Sequence, residues 1–190
     1  MEISTIVTLI TVSLLIVYLI LIYNNLIQLK HNVSKAWSNI DVLLKQRHDE
    51  LPKLVETCKQ YMAYEKNALE TVIKARSAVA HAQQDSDIKA LGVAETQLRM
   101  GLGNLFALAE SYPGLKANES FQHLQSRITS LEHDIADRRE FYNESTNVNN
   151  IRIEQFPDVL VAKSFGFKAF DLLEFSETNR ADVNVSLLFQ

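Results

Sequence analysis

The chain opens with an apolar run long enough to cross a lipid bilayer. From Ile3 to Ile22 the residues are aliphatic or carry a hydroxyl group, and no charged residue lies between Glu2 and Lys30. A helix of about twenty residues rises about 30 Å, the thickness of the hydrocarbon layer. A cleaved signal peptide would have a basic start, a shorter apolar run and small residues at its exit. Here Glu2 precedes the run and Tyr23-Asn24-Asn25 follows it, so the sequence predicts a retained transmembrane helix.

Beyond Ile22 the apolar residues recur at alternating steps of three and four, which is typical of a helix with one buried face. The first such stretch runs from about Asn24 to His48 without glycine or proline. We therefore expect the membrane helix and this stretch to form one rod. Its heptad-like seam comprises Leu26, Leu29, Val33, Ala36, Ile40, Leu43 and Arg47. Arg47, the charged member at the end of the seam, is predicted to reach out of the interface.

Pro52 interrupts this pattern, and the seam slips by one residue around it. A proline inside a helix removes a backbone donor and clashes with the preceding turn. Either the helix kinks at Pro52, or it ends there and Asp49 caps a new helix. The sequence leaves both alternatives open.

Three further helical stretches are predicted, over about 51–82, over about 88–110, and from a cap at Asn118 until the pattern fades before Pro157. Polar residues at 83–87 and a Pro-Gly turn at 111–114 separate them. Six of the nine phenylalanines follow in the last part of the chain. The predicted organisation is an N-terminus with a transmembrane helix (1–23), a helical bundle (24–155) and an irregular Phe-rich segment packed on it (156–190).

Composition and charge restrict the function. A net charge of −4 gives no basic excess for displacing counterions, so we expect no nucleic-acid partner. Cys58 is the only cysteine, which excludes an intrachain disulfide and a C-x-x-C site. The histidines lack the i, i+4 spacing of metal ligands, and no glycine-rich phosphate loop occurs. We therefore predict no metal, no cofactor and no enzymatic activity.

The flanks of the apolar run predict its orientation. No Lys or Arg precedes the run, whereas Lys30, Lys35, Lys45 and Arg47 follow it. The positive-inside rule therefore places the N-terminus outside and the bundle in the cytoplasm.

Two groups of residues are candidates for chemistry or contact. Arg47-His48-Asp49-Glu50 combines a base, an imidazole and acids within one turn, but a helix end rich in charged and capping residues explains it better than a catalytic or pH-sensing cluster. Trp37, Asn39, Ile40 and Asp41 lie shortly after the membrane exit. They either form a partner surface or bury Trp37 and Ile40 while Asn39 and Asp41 cap or pair with neighbours.

A third candidate lies within the membrane helix. Ser4, Thr8 and Thr11 recur at steps of four and three, and such small hydroxyl residues permit close helix approach in lipid. We predict that identical chains associate through this face. The alternative is plain lipid exposure, with the hydroxyl groups bonded to their own helix backbone.

Several long motifs are similar to those of the LemA family. They read VSKAWSNIDVLLKQRHDELP (33–52), LVETCKQYMAYEKNALETVIKAR (54–76), ESYPGLKANESF (110–121), RREFYNE (138–144) and FPDVLVAKSFGF (156–167). The chain departs from the family pattern at Asn149-Asn150, where Tyr-Asn is usual, and in the tail 182–189, which lacks the usual proline. The resemblance implies a bacterial membrane protein with an antiparallel, up-and-down four-helix bundle of long coiled-coil-like helices, and it implies no established reaction.

These observations favour a single-pass protein of the bacterial inner membrane that acts as a non-enzymatic scaffold, self-associating and recruiting an unidentified protein partner. The alternative is an adaptor or regulator of a membrane enzyme such as a protease. Purification in mild detergent separates the two, because a scaffold forms homogeneous large assemblies whereas an adaptor carries an enzyme with it in fixed proportion.

Overall fold

The computed structural model describes residues 3–175, and within that range the secondary structure is helical without a strand. The helices of this part of the chain are α1 (Ile3–Lys59), α2 (Lys66–Gln84), α3 (Ile88–Ala109), α4 (Pro113–Lys116), α5 (Glu119–Glu154) and α6 (Asp158–Ser164). The prediction of an all-helical chain is confirmed for these residues. Residues 176–190, including Phe189 and the weakly alternating tail, lie outside the described range.

The first helix is one element of 57 residues that includes both the apolar run and the first water-facing stretch. From Ile3 to Leu21 its side chains are exposed on every side. Among the described helices, α1 alone is long and apolar enough to cross a membrane. This arrangement fits a single-pass membrane protein, and the prediction of a continuous rod is confirmed.

Pro52 neither ends α1 nor starts a new helix capped by Asp49. The proline has no N–H to donate to the carbonyl of His48, four residues earlier. In its place, Arg76 Nε of α2 donates a hydrogen bond of 3.0 Å to that carbonyl oxygen. The helix therefore continues through the proline because a neighbouring side chain supplies the missing donor.

The predicted stretch 51–82 is divided in the structure, which corrects the sequence interpretation. Residues as far as Lys59 belong to α1, and α2 begins only at Lys66. The turn between them has neither glycine nor proline, so composition gave no stop signal. The turn is instead closed by the carbonyl of Cys58, which accepts from the N–H groups of Tyr61 and Met62, and Met62 is fully buried.

The helix starts predicted after 83–87 and at Asn118 agree with the structure, whereas the predicted turn at 111–114 includes the first two residues of α4. Asp87 caps α3, since its Oδ1 accepts a 2.9 Å bond from the N–H of Ala90. Asn118 caps α5 by accepting from the N–H of Phe121, also at 2.9 Å. In both caps a side-chain oxygen accepts from a backbone N–H of the first helical turn, which has no acceptor within its own helix.

The helices pair lengthwise, α1 along α5 and α2 along α3. Contacts of α1 and the turn after it with α5 and its cap run in opposite chain order: Tyr61 with Asn118, Arg47 with Glu132, and Trp37 with Tyr142. The main core lies between these helix pairs and includes the fully buried Ile40, Leu51, Leu54, Cys58, Leu91, Leu105 and Ile128. A second small core, where α1 leaves the apolar run, joins Ile22 and Leu26 to Ile153, Val161 and Ala162.

Residues 166–175, which we call the strap, run back along α5 beside α3 rather than across the end of the helices. Asn150 and Asn143 of α5 each form two hydrogen bonds to strap backbone, at Phe170 and Leu173 respectively, with distances from 2.8 to 3.1 Å. Leu173 enters the main core, with an exposed fraction of 1%. The strap is therefore part of the folded structure, and the predicted irregular segment also contains a short helix, α6.

Gly92 of α3 permits the strap to lie this close. A Cβ atom added at Gly92 would stand 2.0 Å from the carbonyl oxygen of Glu174, whereas one added at Gly103 would meet nothing within 4 Å. A backbone oxygen cannot yield as a flexible side chain can, so only glycine fits at position 92.

We expect Gly92→Ala to destabilise the protein by about 1–3 kcal/mol, because either α3 or the strap must shift. Gly103→Ala is the matched control and should stabilise by about 0.5–1 kcal/mol, as expected for an exposed helix position. Thermal unfolding of the detergent-solubilised chain measures both changes. Faster amide hydrogen exchange at Leu173 in Gly92→Ala would locate the effect, and equal stability of the two variants would contradict the close approach.

Candidate functional site

The most unusual feature of the main core is a buried charge. Arg47 has an exposed fraction of 1%, which overturns the prediction that it reaches out of the interface. Its Nη2 donates to Glu95 Oε1, and its Nη1 donates to Glu132 Oε1 at 2.6 Å. These residues, the charge triad, belong to α1, α3 and α5. One guanidinium thus joins three helices through the centre of the structure.

The electrostatics of the charge triad are set by burial. Burial alone would lower the pKa of Arg47, but the charges and hydrogen bonds of Glu95 and Glu132 outweigh it and raise that pKa. Burial raises the pKa of Glu95, and the attraction of Arg47 only partly opposes this. Glu95 is 2% exposed and Glu132 is 21% exposed. The carboxylate charge of Glu95 therefore depends on Arg47 for its stabilisation far more than that of Glu132, which water can reach.

His48 and Asp49 do not join the charge triad. His48 Nε2 lies 2.6 Å from Arg76 Nη2, and Asp49 is exposed to solvent. Burial, followed by the positive charge of Arg76, lowers the pKa of His48, although Asp49 acts in the opposite direction. Since a guanidinium can only donate, His48 Nε2 accepts a hydrogen bond from Arg76 Nη2. This arrangement braces α1 against α2.

Residues 37–41 divide between the two interpretations that the sequence allowed. Ile40 is fully buried, and the half-buried Trp37 packs against Tyr142 with ring centroids 5.7 Å apart. Asp41 accepts hydrogen bonds from Lys45 at 2.7 Å and from Gln83 at 2.5 Å. The bond from Lys45 holds the pKa of Asp41 below its usual value, against the opposing effect of partial burial. Asn39 is exposed, and it remains the member of this group that is available to a partner.

Two of the three hydroxyl side chains on the proposed contact face, those of Thr8 and Thr11, are bonded to their own helix. Thr8 Oγ1 donates to the carbonyl of Ser4 at 2.8 Å, and Thr11 Oγ1 donates to that of Val7 at 2.9 Å. Their donors are therefore used, while their small size still permits close approach by another helix.

Between residues 3 and 175, no three His, Cys, Asp or Glu side chains meet in a way that could hold a metal ion. Burial raises the pKa of the Cys58 thiol to about 11, so it is protonated at neutral pH and a poor nucleophile.

Sequence reasoning did not single out Glu95 or Glu132. A signal for Glu95 was present, since it lies on the apolar face of α3 between the buried Leu91 and Leu98. An acid on such a face needs a buried cation. Glu132 follows the buried Leu131 and is half-buried itself, a position that sequence alone does not distinguish from an ordinary exposed acid.

Comparison with known proteins identifies the family of this chain. The model of the LemA family matches residues 36–187, and the chain belongs to the LemA family. Magnetosome protein MamQ 2 of Paramagnetospirillum magneticum is 23% identical, with 97% of this chain and 76% of that protein aligned. Magnetosome protein MamQ of Magnetospirillum gryphiswaldense is 22% identical, with 90% of this chain and 72% of that protein aligned. Protein LemA of Metamycoplasma hominis is 26% identical, with 87% of this chain and 74% of that protein aligned.

Removing one member of the charge triad should cost more than removing two. In Arg47→Met, Glu95 stays buried without its cation, and we expect a loss of about 3–5 kcal/mol, or roughly 10 °C in melting temperature. In Arg47→Met/Glu95→Leu, the remaining Glu132 can turn to water, so most of this loss should be recovered. Thermal unfolding followed by circular dichroism measures both.

The loss in Arg47→Met should also depend on pH. Without the guanidinium the folded-state pKa of Glu95 rises further, so the folded state binds a proton more tightly than the unfolded state. A carboxyl group whose pKa is higher in the folded state stabilises the fold below its unfolded-state pKa. This stabilisation is lost as pH rises through its folded-state pKa. The difference in free energy of unfolding between Arg47→Met and the wild type should therefore be smaller at pH 5 than at pH 8. A constant difference would contradict the buried, unpaired Glu95.

Proposed function

We propose that this chain is a non-enzymatic scaffold anchored in the bacterial cell membrane by a single span. The observation that carries the proposal is the continuity of α1, which joins an apolar run exposed on all sides to a tightly packed helical core. A rigid rod with its apolar end unburied needs lipid around it and transmits position from the bilayer to the water-facing helices.

We infer that residues 24–155 act as an antiparallel, up-and-down four-helix bundle with coiled-coil-like packing, following the short N-terminus and span of residues 1–23. The described part of the predicted segment 156–190, which ends at residue 175, completes it by packing along α5 through the strap, and the rest of that segment lies outside the described residues. The opposite chain order of the α1 and α5 contacts and the brace between α2 and α1 support this division. Such a bundle offers surfaces for partners along the outside of its helices.

In this proposal the chains associate through Ser4, Thr8 and Thr11, and the bundle surface with exposed Asn39 recruits another protein. The exposed apolar face and the small side chains on it support lateral contact. The N-terminus lies outside the cell and the bundle in the cytoplasm, in line with the lysines that follow the span.

Self-association can be measured by chemical crosslinking in native membranes. We expect multimer ladders from the wild type and an approximately threefold or greater reduction in Ser4→Leu/Thr8→Leu/Thr11→Leu, because contacts of small polar residues contribute roughly 0.6 kcal/mol or more. Ser13→Leu is the matched control, since nine residues at about 100° each place it on the opposite face from Ser4. Ladders equal in all three chains would refute association through this face.

Sidedness can be measured with a membrane-impermeant maleimide. Tyr64 is 95% exposed in the turn after α1, so Tyr64→Cys should label only after spheroplasts are permeabilised, whereas Glu2→Cys should label without permeabilisation. Cys58 can stay in place because its buried thiol has a pKa of about 11, and the wild-type chain serves as the labelling blank. Immediate labelling of Tyr64→Cys would reverse the orientation.

A further inference from the structure

We propose that a pocket where α1 leaves the apolar run binds the headgroup of an anionic glycerophospholipid that carries a hydroxyl group. The pocket lies between α1 and residues 165–170 and has a volume of about 380 Å³. This inference rests on the proposed membrane span, and it adds a ligand class and a site to it.

The pocket lies at the depth of the lipid headgroups. Ile22, the last residue of the apolar run, packs on Val161 and Ala162 of α6, so the span and α6 meet at one level. Lys30 lines the pocket and follows Ile22 by eight residues, or about 12 Å of helix. A lysine side chain at that height can extend back along the helix and place its ammonium group among the phosphates.

Aromatic side chains form the wall that faces the bilayer. The Tyr23 ring centroid lies 4.8 Å from that of Phe165 and 6.0 Å from that of Phe167. Phe165 is 65% exposed, and the neighbouring Phe156 and Leu160 are 80% and 59% exposed. Large apolar side chains gathered beside a span are typical of the membrane interface, where acyl chains cover them.

The charge on the pocket is positive. Lys30 and Lys168 both line it, and neither forms an ion pair with any residue between 3 and 175. The part of the pocket wall that is described includes no carboxylate. Two unneutralised ammonium groups favour a phosphate over a zwitterionic headgroup, whose own cation they would repel.

The floor of the pocket holds an acceptor without a donor. Asn149 lines the pocket and is 1% exposed. Its buried Oδ1 has no hydrogen-bond partner. The orientation of this amide follows from Asn150, whose Oδ1 accepts from the N–H of Phe170 and whose Nδ2 donates to the carbonyl of Phe170. Asn149 Nδ2 donates to the same Asn150 Oδ1 at 3.3 Å, so Asn149 Oδ1 is the free atom.

A buried acceptor of this kind requires a donor. A headgroup that carries a hydroxyl beside its phosphate, as phosphatidylglycerol does, supplies both partners: the phosphate to the lysines and the hydroxyl proton to Asn149 Oδ1. Its acyl chains would then leave along Tyr23 and Phe165 towards the bilayer.

The test uses the full chain in phosphatidylcholine vesicles that contain a small, equal fraction of brominated phosphatidylglycerol or brominated phosphatidylcholine. Trp37→Phe removes the only tryptophan, and Phe165→Trp places a quenchable reporter at the pocket. We expect the brominated anionic lipid to be enriched around the reporter on the order of tenfold over the brominated choline lipid.

Matched variants assign the effect to the pocket. Lys30→Gln/Lys168→Gln should abolish the preference, whereas Lys35→Gln/Lys163→Gln removes the same charge from exposed positions outside the pocket and should keep it. Asn149→Leu should reduce the preference, with circular dichroism reporting whether it remains folded. Equal quenching by both lipids, or a preference that survives Lys30→Gln/Lys168→Gln, would overturn the lipid site.

Two further measurements separate this inference from its alternatives. Loss of the preference in the presence of millimolar sn-glycerol 3-phosphate would assign the pocket to a soluble phosphate and overturn the lipid assignment, whereas its persistence supports the lipid. Leu14→Trp, in the same Trp37→Phe background, reports the span itself and should be quenched by both lipids. Absence of that quenching would refute the proposed span, whereas its presence without a preference at the pocket would remove only the lipid site.

Discussion

The structure depends on one constraint, which is that α1 must remain a single helix from an apolar run exposed on every side to a stretch packed against other helices. Its first part is apolar all round, and its later part is buried on one face only. Pro52 threatens this continuity because it leaves the His48 carbonyl without its helical donor. Arg76 of α2 supplies the donor, so the packing of α2 against α1 satisfies the acceptor that the proline leaves open. Anchor and helical core are therefore coupled through backbone satisfaction as well as through apolar packing.

The charge triad restricts how α1, α3 and α5 can pack against one another. An apolar set of the same shape would cost less desolvation, and burial already raises the pKa of Glu95. A buried guanidinium, however, tolerates only arrangements of α1, α3 and α5 that bring carboxylates to it. Apolar seams with heptad spacing can slip by one turn at little cost, whereas an unpaired Arg47 cannot. We regard the charge triad as the device that fixes helix register, and the Arg47→Met/Glu95→Leu variant separates this role from stability.

The sequence predicted the features that depend on local chemistry. The apolar run, the cap at Asn118 and the start of α3 after the polar residues 83–87 follow from neighbouring residues, and they agree with the structure. The features it missed depend on distant partners. Arg47 meets Glu95 and Glu132, which are 48 and 85 residues away. The carbonyl group left without a donor by Pro52 is hydrogen-bonded by a side chain of α2. The turn after Lys59 is stabilised by burial of Met62, and no glycine or proline in it indicates the end of the helix.

The rod also restricts how copies can meet in the membrane. Ser4 and Ile22 are eighteen residues apart, or five turns at about 3.6 residues per turn, so the proposed seam continues directly into the face that α6 covers. Two chains placed side by side, seam to seam, would bring their own α5 and α6 ends into the same space. The spans must therefore cross at an angle, as helices with small contact residues commonly do. Association through this face thus favours short contacts near Thr8, with the water-facing helices of the two copies displaced to either side.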